Sequence, residues 1–171
     1  MIVNNVALEI EGMDRAGKDT LAEYIKYLGN YAYTINVRGI LTQIVYNDKF
    51  DRNNVYALPY KPFIVFLDVN NTDHAIRCKT TDEAKINVDK DREAFYEYIN
   101  ELRKYGITVL TYNTSETTMI NIAKDVIKHL EKVDIKDFIL PEPIMLSSLN
   151  VYTKEDLKDE DVFYKFTAEE N

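Results

Sequence analysis

The sequence predicts an α/β fold in which a parallel β-sheet of about four strands is flanked by helices. Short apolar runs alternate with longer stretches whose apolar residues recur at helical spacing. One run, residues 63–69 (FIVFLDV), is apolar almost throughout, as expected of a central strand buried on both faces. The 171 residues, 46% of them hydrophobic, can form the core of one domain and are too few for two.

The first part of the chain predicts two strands and two helices. Residues 6–10 form the first strand, and residues 32–37 form the second. The first helix ends at Gly29 and Asn30 and is indicated by apolar residues at helical spacing: Leu21, Tyr24, Ile25 and Leu28. A short second helix is indicated in the same way by Ile40, Leu41, Ile44 and Val45. Residues 47–62, which contain Pro59 and Pro62, are predicted to be a loop.

The second part continues the alternation after the central strand. Residues 84–105 form a long amphipathic helix, which Gly106 ends. Residues 107–112 form the last strand, and residues 116–132 form the last long helix, with Thr114 and Ser115 as capping candidates. With the strands counted in chain order, we expect the sheet order second, first, third, fourth.

The C-terminal residues differ in character from the rest, so we divide the chain into a domain of residues 1–132 and an extension of residues 133–171. Residues 152–171 carry seven acidic residues and three lysines, a net charge of −4. They also contain the aromatic residues Phe163, Tyr164 and Phe166. Because clustered aromatic residues rarely remain in water, we expect a short helix from about Thr153 that docks on the domain, on a second copy or on another protein.

Charge and cysteine content limit the classes of protein. The net charge of −8 disfavours general binding to nucleic acid. The single cysteine, Cys78, is expected to be a small buried residue, and the chain shows neither a signal peptide nor a membrane span. We therefore expect a cytoplasmic protein, and so compact a fold suits a viral genome and hence the host cytoplasm. His74 and His129 lack a second histidine or cysteine at zinc-ligand spacing, so we expect no zinc site and expect both to be surface or partly packed residues.

A phosphate-binding loop is predicted between the first strand and the first helix. The pattern is Gly12-x-x-x-x-Gly17-Lys18, in which glycines let backbone N–H groups approach phosphate oxygens and the lysine reaches the terminal phosphates. This motif refines the fold prediction to the three-layer P-loop NTPase type. The predicted ATP site consists of Gly12, Met13, Asp14, Arg15, Ala16, Gly17, Lys18, Asp19 and Thr20.

The magnesium position of this loop is unusual. Asp19 stands where such loops carry a Ser or Thr that holds Mg²⁺, and Thr20 follows one place later, as in adenylate-kinase-like loops. Asp19 is either a relocated metal ligand or a sign of a decayed site. Glu11 is a weaker magnesium candidate.

Four stretches resemble the thymidylate kinase family, in the family's order. EGMDRAGKDT is similar to the loop of the branch with an arginine inside it. VRGILTQIVY, residues 37–46, resembles the family's Asp-Arg-Tyr motif with Arg38, Thr42 and Tyr46 in register. Residues 61–77 resemble the Leu-Asp-Val strand and the arginine-bearing helix after it. The last stretch, residues 91–118, resembles the helix after the lid over residues 91–102 and the last strand with the loop toward the adenine over residues 107–118. The resemblance covers about residues 3–132.

The resemblance implies an ATP- and Mg²⁺-dependent nucleoside monophosphate kinase. It implies that Arg15 and Lys18 act on the donor phosphates and that Asp14, Arg38 and Tyr46 contact the acceptor. Arg38 either binds the acceptor phosphate or pairs with Glu11 or Asp14. Lysines in the segment that matches the lid are expected to be solvated: Lys79, Lys85 and Lys90.

Two departures from the family leave three hypotheses open. The segment that grips the monophosphate is absent, and Val37 replaces the aspartate before Arg38. We prefer a nucleoside monophosphate kinase. The alternatives are a related kinase that acts on a nucleoside or on a modified base in DNA, and a catalytically degenerate P-loop binding module.

Overall fold

The computed structural model describes residues 7–52, 54–79 and 88–156. In chain order its elements are β1 (Ala7–Gly12), α1 (Lys18–Leu28), β2 (Thr34–Val37), α2 (Ile40–Lys49), β3 (Tyr56–Tyr60), β4 (Phe63–Asp68), α3 (Asn71–Cys78), α4 (Val88–Lys104), β5 (Val109–Asn113), α5 (Met119–Leu130), a 3₁₀ turn (Ile135–Phe138) and β6 (Ile139–Leu146).

The main sheet has four parallel strands in the order β2-β1-β4-β5, which confirms the predicted order. Ile10 of β1 is in register with Val37 of β2 and with Val65 of β4, and Val65 is in register with Leu110 of β5. The chain moves from β1 to one neighbour and then crosses to the other. The carboxyl end of β1 is therefore the point at which ligands bind in open sheets of this kind.

Helices cover the sheet, as the sequence predicts. Helix α1 packs against α5, and α2 packs against α4. The first five residues of β4, from Phe63 to Leu67, are at most 1% exposed. Only a strand covered on both faces is buried in this way, so the central position predicted for the run FIVFLDV is confirmed.

The prediction that residues 47–62 form a loop is wrong. Helix α2 runs to Lys49, and β3 pairs in antiparallel fashion with β6 of the C-terminal extension. Pro59 lies where the register shifts between Leu58 and Tyr60. A two-stranded ribbon has only edge strands, and prolines are tolerated in edge strands, so Pro59 does not prevent strand formation here.

Two smaller predictions also fail. Helix α5 begins at Met119 and is capped by Thr118, whose side chain accepts a hydrogen bond from the Asn121 backbone N–H, rather than by Thr114 or Ser115. His74 is buried, with 4% of its surface exposed, rather than lying at the surface or being partly packed. Its Nε2 lies 3.6 Å from the Cys78 sulfur. The predicted burial of Cys78 is confirmed.

The C-terminal extension is attached to α2 and α4 through buried polar groups. The Asp48 carboxylate accepts hydrogen bonds from Ser148 Oγ at 2.8 Å and from the Val151 backbone N–H at 2.7 Å. Asp91 of α4 accepts from Lys49 Nζ at 2.9 Å and from Tyr152 Oη at 2.6 Å. These bonds hold residues 148–152 against the domain.

Some predictions fall on residues that the structure does not describe. They are the first residues of the helix predicted from residue 84, Lys85, and the aromatic residues of the tail, Phe163, Tyr164 and Phe166. In the described ranges, no helix is both long and apolar enough to cross a membrane.

Candidate phosphate-binding site

The loop between β1 and α1 has a backbone that only glycine accommodates at two points. Gly12 has φ 151° and Gly17 has φ 96°. A Cβ atom at Gly12 would lie 2.3 Å from the Leu67 carbonyl oxygen, and one at Gly17 would lie 2.3 Å from Met119 Cε. The loop is thus packed tightly against β4 on one side and against the start of α5 on the other.

Lys18 lies folded onto the loop that precedes it. Its side chain is 5% exposed, and Nζ donates to the carbonyl oxygens of Gly12 at 2.9 Å and Met13 at 2.8 Å. Burial lowers the pKa of Lys18, an effect that the nearby Asp14 charge opposes. The ammonium group therefore lies at the base of the loop, where two backbone carbonyl oxygens hold it.

Two elements, β4 and α3, form hydrogen bonds to the loop from outside. The Met13 backbone N–H donates to the Leu67 carbonyl oxygen at 3.0 Å. Arg77 of α3 donates through Nη1 to the Arg15 carbonyl oxygen at 3.0 Å and to Thr114 Oγ1 at 3.1 Å. Sequence reasoning placed an arginine in this helix by resemblance but assigned it no role, because a contact between residues 15 and 77 requires the fold.

Oxygen ligands lie at the mouth of the loop. Asp19 and Thr20 are exposed in the first turn of α1, and Asp14 is half-buried in the loop. Within the described part of the chain, none of these three side chains has a hydrogen-bond or ion-pair partner. They can therefore contact a metal ion or a phosphate-bound water without breaking an internal contact.

Glu11 has a structural role, and its contacts do not suit the predicted role of a magnesium ligand. It is fully buried, and its carboxylate accepts from the backbone N–H groups of Leu41 at 3.1 Å and Thr42 at 3.2 Å, and from Thr42 Oγ1. Glu9 accepts in the same way from the Ile40 backbone N–H at 3.2 Å. Burial raises the pKa of Glu11 to about 7, against the effect of the Thr42 hydroxyl. The two glutamates thus cap the N-terminus of α2 from the neighbouring strand.

Arg38 lies between β2 and α2, close to the loop. Its φ is 64°, and its backbone N–H donates to the Ile10 carbonyl oxygen at 2.9 Å. The side chain is exposed and makes no ion pair or hydrogen bond with any described residue, so the expected alternative of pairing with Glu11 or Asp14 is not found. Burial has the largest effect on the pKa of Lys18 and the Asp14 charge the second largest. The Arg38 charge comes third, and it lowers this pKa. The positive charges of Arg38 and Lys18 therefore interact with each other.

Tyr46 lies in the second half of α2. Its ring stacks on Phe50 with centroids 6.1 Å apart, and Lys49 Nζ lies 5.7 Å from its centroid. It is six residues beyond Ile40, or about 9 Å along the helix axis. These contacts place Tyr46 with the C-terminal half of α2, and its contact with the acceptor stays a prediction.

Asp68, at the end of β4, is a residue of this edge that sequence reasoning missed. Its Oδ1 accepts from Arg92 Nε at 2.9 Å and from the Val69 backbone N–H at 2.7 Å, and its Oδ2 accepts from Tyr96 Oη at 3.1 Å. Burial, followed by this aspartate, raises the pKa of Tyr96 to about 12. The sequence did contain a signal for Asp68: it is a carboxylate at the end of an apolar strand, and that strand was predicted to lie next to the strand that leads into the loop.

The donor set limits what kind of metal site can exist. The described residues contain no group of three His, Cys, Asp or Glu side chains that could hold a metal ion. Magnesium at nucleotide sites takes most of its ligands from phosphates and water and needs only one or two from the protein. Asp19 and Thr20 meet that smaller requirement.

Comparisons of the chain with protein-family models, with curated proteins and with solved structures gave no match.

Proposed function

We propose that this protein is an ATP-dependent phosphotransferase that acts on a nucleoside monophosphate. The observation that carries the proposal is the loop: a strand leads through Gly12 and Gly17 to Lys18, whose Nζ is held by the loop's own carbonyls at 2.8 and 2.9 Å. From this position the lysine can exchange its bonds to the carbonyls for bonds to a phosphate without any change of fold. Backbone N–H groups and the start of α1 supply further positive potential.

The donor side of the reaction uses the loop. Lys18 contacts the terminal phosphates of ATP, and Arg15 at the loop tip adds positive charge around the group that is transferred. An acceptor oxygen attacks the γ-phosphorus, the bond from that phosphorus to the bridging oxygen breaks, and ADP leaves with the electron pair. Most of the catalysis in such a transfer comes from positioning and electrostatic stabilisation.

Magnesium fits the loop mouth. Asp19 and Thr20 would hold it there, and the bound ion would neutralise charge on the β- and γ-phosphates. Without the ion, the Asp19 carboxylate repels ATP, because two anions then face each other. Asp19 is thus part of a relocated metal site in this proposal.

The acceptor side depends on Arg38. An exposed arginine beside the loop, with no partner among the described residues, is suited to bidentate binding of a phosphate. This favours a phosphorylated acceptor over a nucleoside. The net charge of −8 disfavours a modified base in DNA.

The test is ATP binding and transfer by wild type, Lys18→Ala and the control Lys26→Ala. Lys26 lies on the same helix, and its one partner among the described residues is the exposed Glu23, so Lys26→Ala removes the same charge outside the loop. We expect ATP with Mg²⁺ to raise the melting temperature of wild type and Lys26→Ala but not of Lys18→Ala. A screen of nucleosides, monophosphates and DNA with γ-labelled ATP then identifies the acceptor. A wild type that millimolar ATP does not stabilise would rule the proposal out.

A further inference from the structure

An open groove lies between β2, the start of α2 and β3. Its volume is about 460 Å³, within the range of small-molecule sites. The groove combines polar and apolar side chains: Glu9, Asn36, Arg38, Gln43, Ile35 and Leu58. Leu58 belongs to the β3–β6 ribbon, which the sequence did not predict, so this wall of the groove could not be predicted either.

Glu9 provides a buried acceptor in the lining of this groove. It is 8% exposed, and its Oε2 accepts from the Ile40 backbone N–H at 3.2 Å. Its other oxygen, Oε1, has no hydrogen-bond partner among the described residues. A buried carboxylate oxygen without a donor is unfavourable, and accordingly burial raises the pKa of Glu9. Oε1 can therefore accept a hydrogen bond from an N–H or O–H group of a ligand in the groove.

Gly39 packs closely against the carboxylate. A Cβ atom at this position would lie 2.5 Å from Glu9 Cδ, so any larger residue would displace the carboxylate or cover it. Glycine at position 39 therefore allows Glu9 to keep its present position in the lining of the groove.

The rest of the lining suits a flat ring attached to an anion. Arg38 lines the groove, and its charge also lowers the pKa of Lys18 in the loop. The side-chain amides of Asn36 and Gln43 are exposed and have no hydrogen-bond partner among the described residues. Ile35 and Leu58 are half-buried apolar walls. A ligand that binds Arg38 through a phosphate can thus extend along the groove towards Glu9.

We propose that this groove is the acceptor subsite and that it takes a nucleoside monophosphate whose base carries an exocyclic amino group. The phosphate binds Arg38, and the amino group donates a hydrogen bond to Glu9 Oε1. This assignment rests on the proposed phosphotransferase function and adds the substrate class. Thymine has no exocyclic amino group, so the groove selects against thymidine monophosphate.

The test measures binding of monophosphates by calorimetry in the absence of ATP. The probes are dAMP, dCMP, dGMP and dTMP, with deoxyribose 5-phosphate to detect binding through the phosphate alone. We expect at least one amino-bearing monophosphate to bind about tenfold or more tightly than dTMP and the sugar phosphate, as a hydrogen bond to a charged group implies. Arg38→Ala should weaken all five ligands, because all of them share the phosphate.

Glu9→Gln separates base recognition from phosphate binding. If the glutamine oxygen keeps the bond to Ile40, its NH₂ faces the groove and cannot accept from an amino group. The preference for the amino-bearing base should then disappear, while the sugar phosphate binds as before. The control Asn121→Ala removes an exposed amide on α5, outside the groove, and should bind like wild type. A second variant, Leu58→Trp, fills the groove without altering Glu9 and should weaken every nucleotide, so the test does not depend on the folding of Glu9→Gln.

The possible outcomes separate this inference from the proposed function. If ATP stabilises the protein through Lys18 but all monophosphates bind equally or not at all, the groove assignment is overturned and the kinase proposal is unaffected. If an amino-bearing monophosphate binds through Glu9 but ATP does not bind, the groove is a nucleotide site and the kinase proposal is wrong. Equal base preference in wild type and Glu9→Gln also overturns the assignment.

Discussion

Arg77 Nη1 donates a hydrogen bond to the carbonyl oxygen of Arg15, 3.0 Å away and 62 residues earlier in the chain. The same nitrogen donates to Thr114 Oγ1 at 3.1 Å. One guanidinium group therefore joins the tip of the phosphate loop to the segment after β5. Since Arg15 has φ 60°, a strained conformation for a residue with a side chain, this external bond helps to hold the loop in this conformation.

Arg77→Ala should weaken ATP binding about fivefold to tenfold, which corresponds to the loss of about one hydrogen bond to a charged group. The control is Lys79→Ala, which removes an exposed cation just beyond α3. Calorimetric titration with ATP and Mg²⁺ measures both variants. If Arg77→Ala and Lys79→Ala bind ATP equally well, Arg77 does not support the loop.

The buried pair of Lys49 and Asp91 should contribute to stability. The two side chains are 5% and 9% exposed, and Tyr152 Oη also donates to Asp91. Asp91→Ala leaves the Lys49 ammonium buried without this carboxylate and should lower the free energy of unfolding by about 3–5 kcal/mol. Tyr152→Phe removes only the hydroxyl and should lower it by about 1 kcal/mol. Urea unfolding of both variants tests this order, and equal losses would contradict it.

Glu11 should make stability depend on pH below neutrality. Burial raises its pKa in the folded protein to about 7 from the ordinary value of 4.5, so the folded state binds more protons than the unfolded state between these two values. Stability attributable to this group is therefore greatest at and below pH 4.5 and decreases as the pH rises to about 7. The expected decrease is on the order of a few kcal/mol.

Glu11→Gln tests this dependence, because glutamine does not titrate. The free energy of unfolding should decrease less between pH 4.5 and 7 in Glu11→Gln than in wild type, whatever the absolute stability of the variant. Glu9→Gln serves as a comparison, since burial raises the pKa of Glu9 in the same direction. Identical slopes in wild type and Glu11→Gln would show that Glu11 titrates normally.

The sequence predicted the main sheet because its strands are strongly patterned. Residues 63–69 are apolar almost throughout, and residues 6–10 lead directly into the loop motif, so both the strands and their order follow from general rules. The β3–β6 ribbon could not be predicted in this way. Pro59 and the two prolines of β6 are breaker signals, and the two strands pair across about eighty residues of chain.

The candidate site was predictable only in part for a similar reason. The loop residues are contiguous, so the motif places them together. Glu9 and Glu11, in contrast, read as the polar positions of an alternating strand, and their role as caps of α2 depends on contacts about thirty residues away. Asp68 and Arg77 likewise acquire partners only through the packing of α3 and α4.

Arg38→Ala should separate acceptor use from donor binding. Because the Arg38 side chain lies outside the loop, its loss should lower kcat/KM for the acceptor by a factor of about ten to one hundred and should leave ATP affinity within about twofold. Steady-state kinetics and ATP titration measure the two effects. Lys128→Ala, which removes an exposed cation on α5, is the control. Equal damage to both quantities would indicate that Arg38 only maintains the turn between β2 and α2.

Substitutions of Asp19 distinguish the two interpretations of the loop, in which this residue is either a relocated metal ligand or a sign of a decayed site. The side chain is exposed in the first turn of α1, next to Thr20 and without a partner among the described residues. If it holds Mg²⁺, its carboxylate strengthens ATP binding in the presence of the ion and weakens it in the absence of the ion. Wild-type affinity should therefore depend on Mg²⁺ about tenfold more steeply than that of Asp19→Asn. Asp19→Ser, which places a hydroxyl at the usual magnesium position of such loops, should recover binding with Mg²⁺. If Asp19→Asn instead binds ATP more tightly by the same factor with and without the ion, Asp19 only repels the phosphates, and the decayed interpretation is correct.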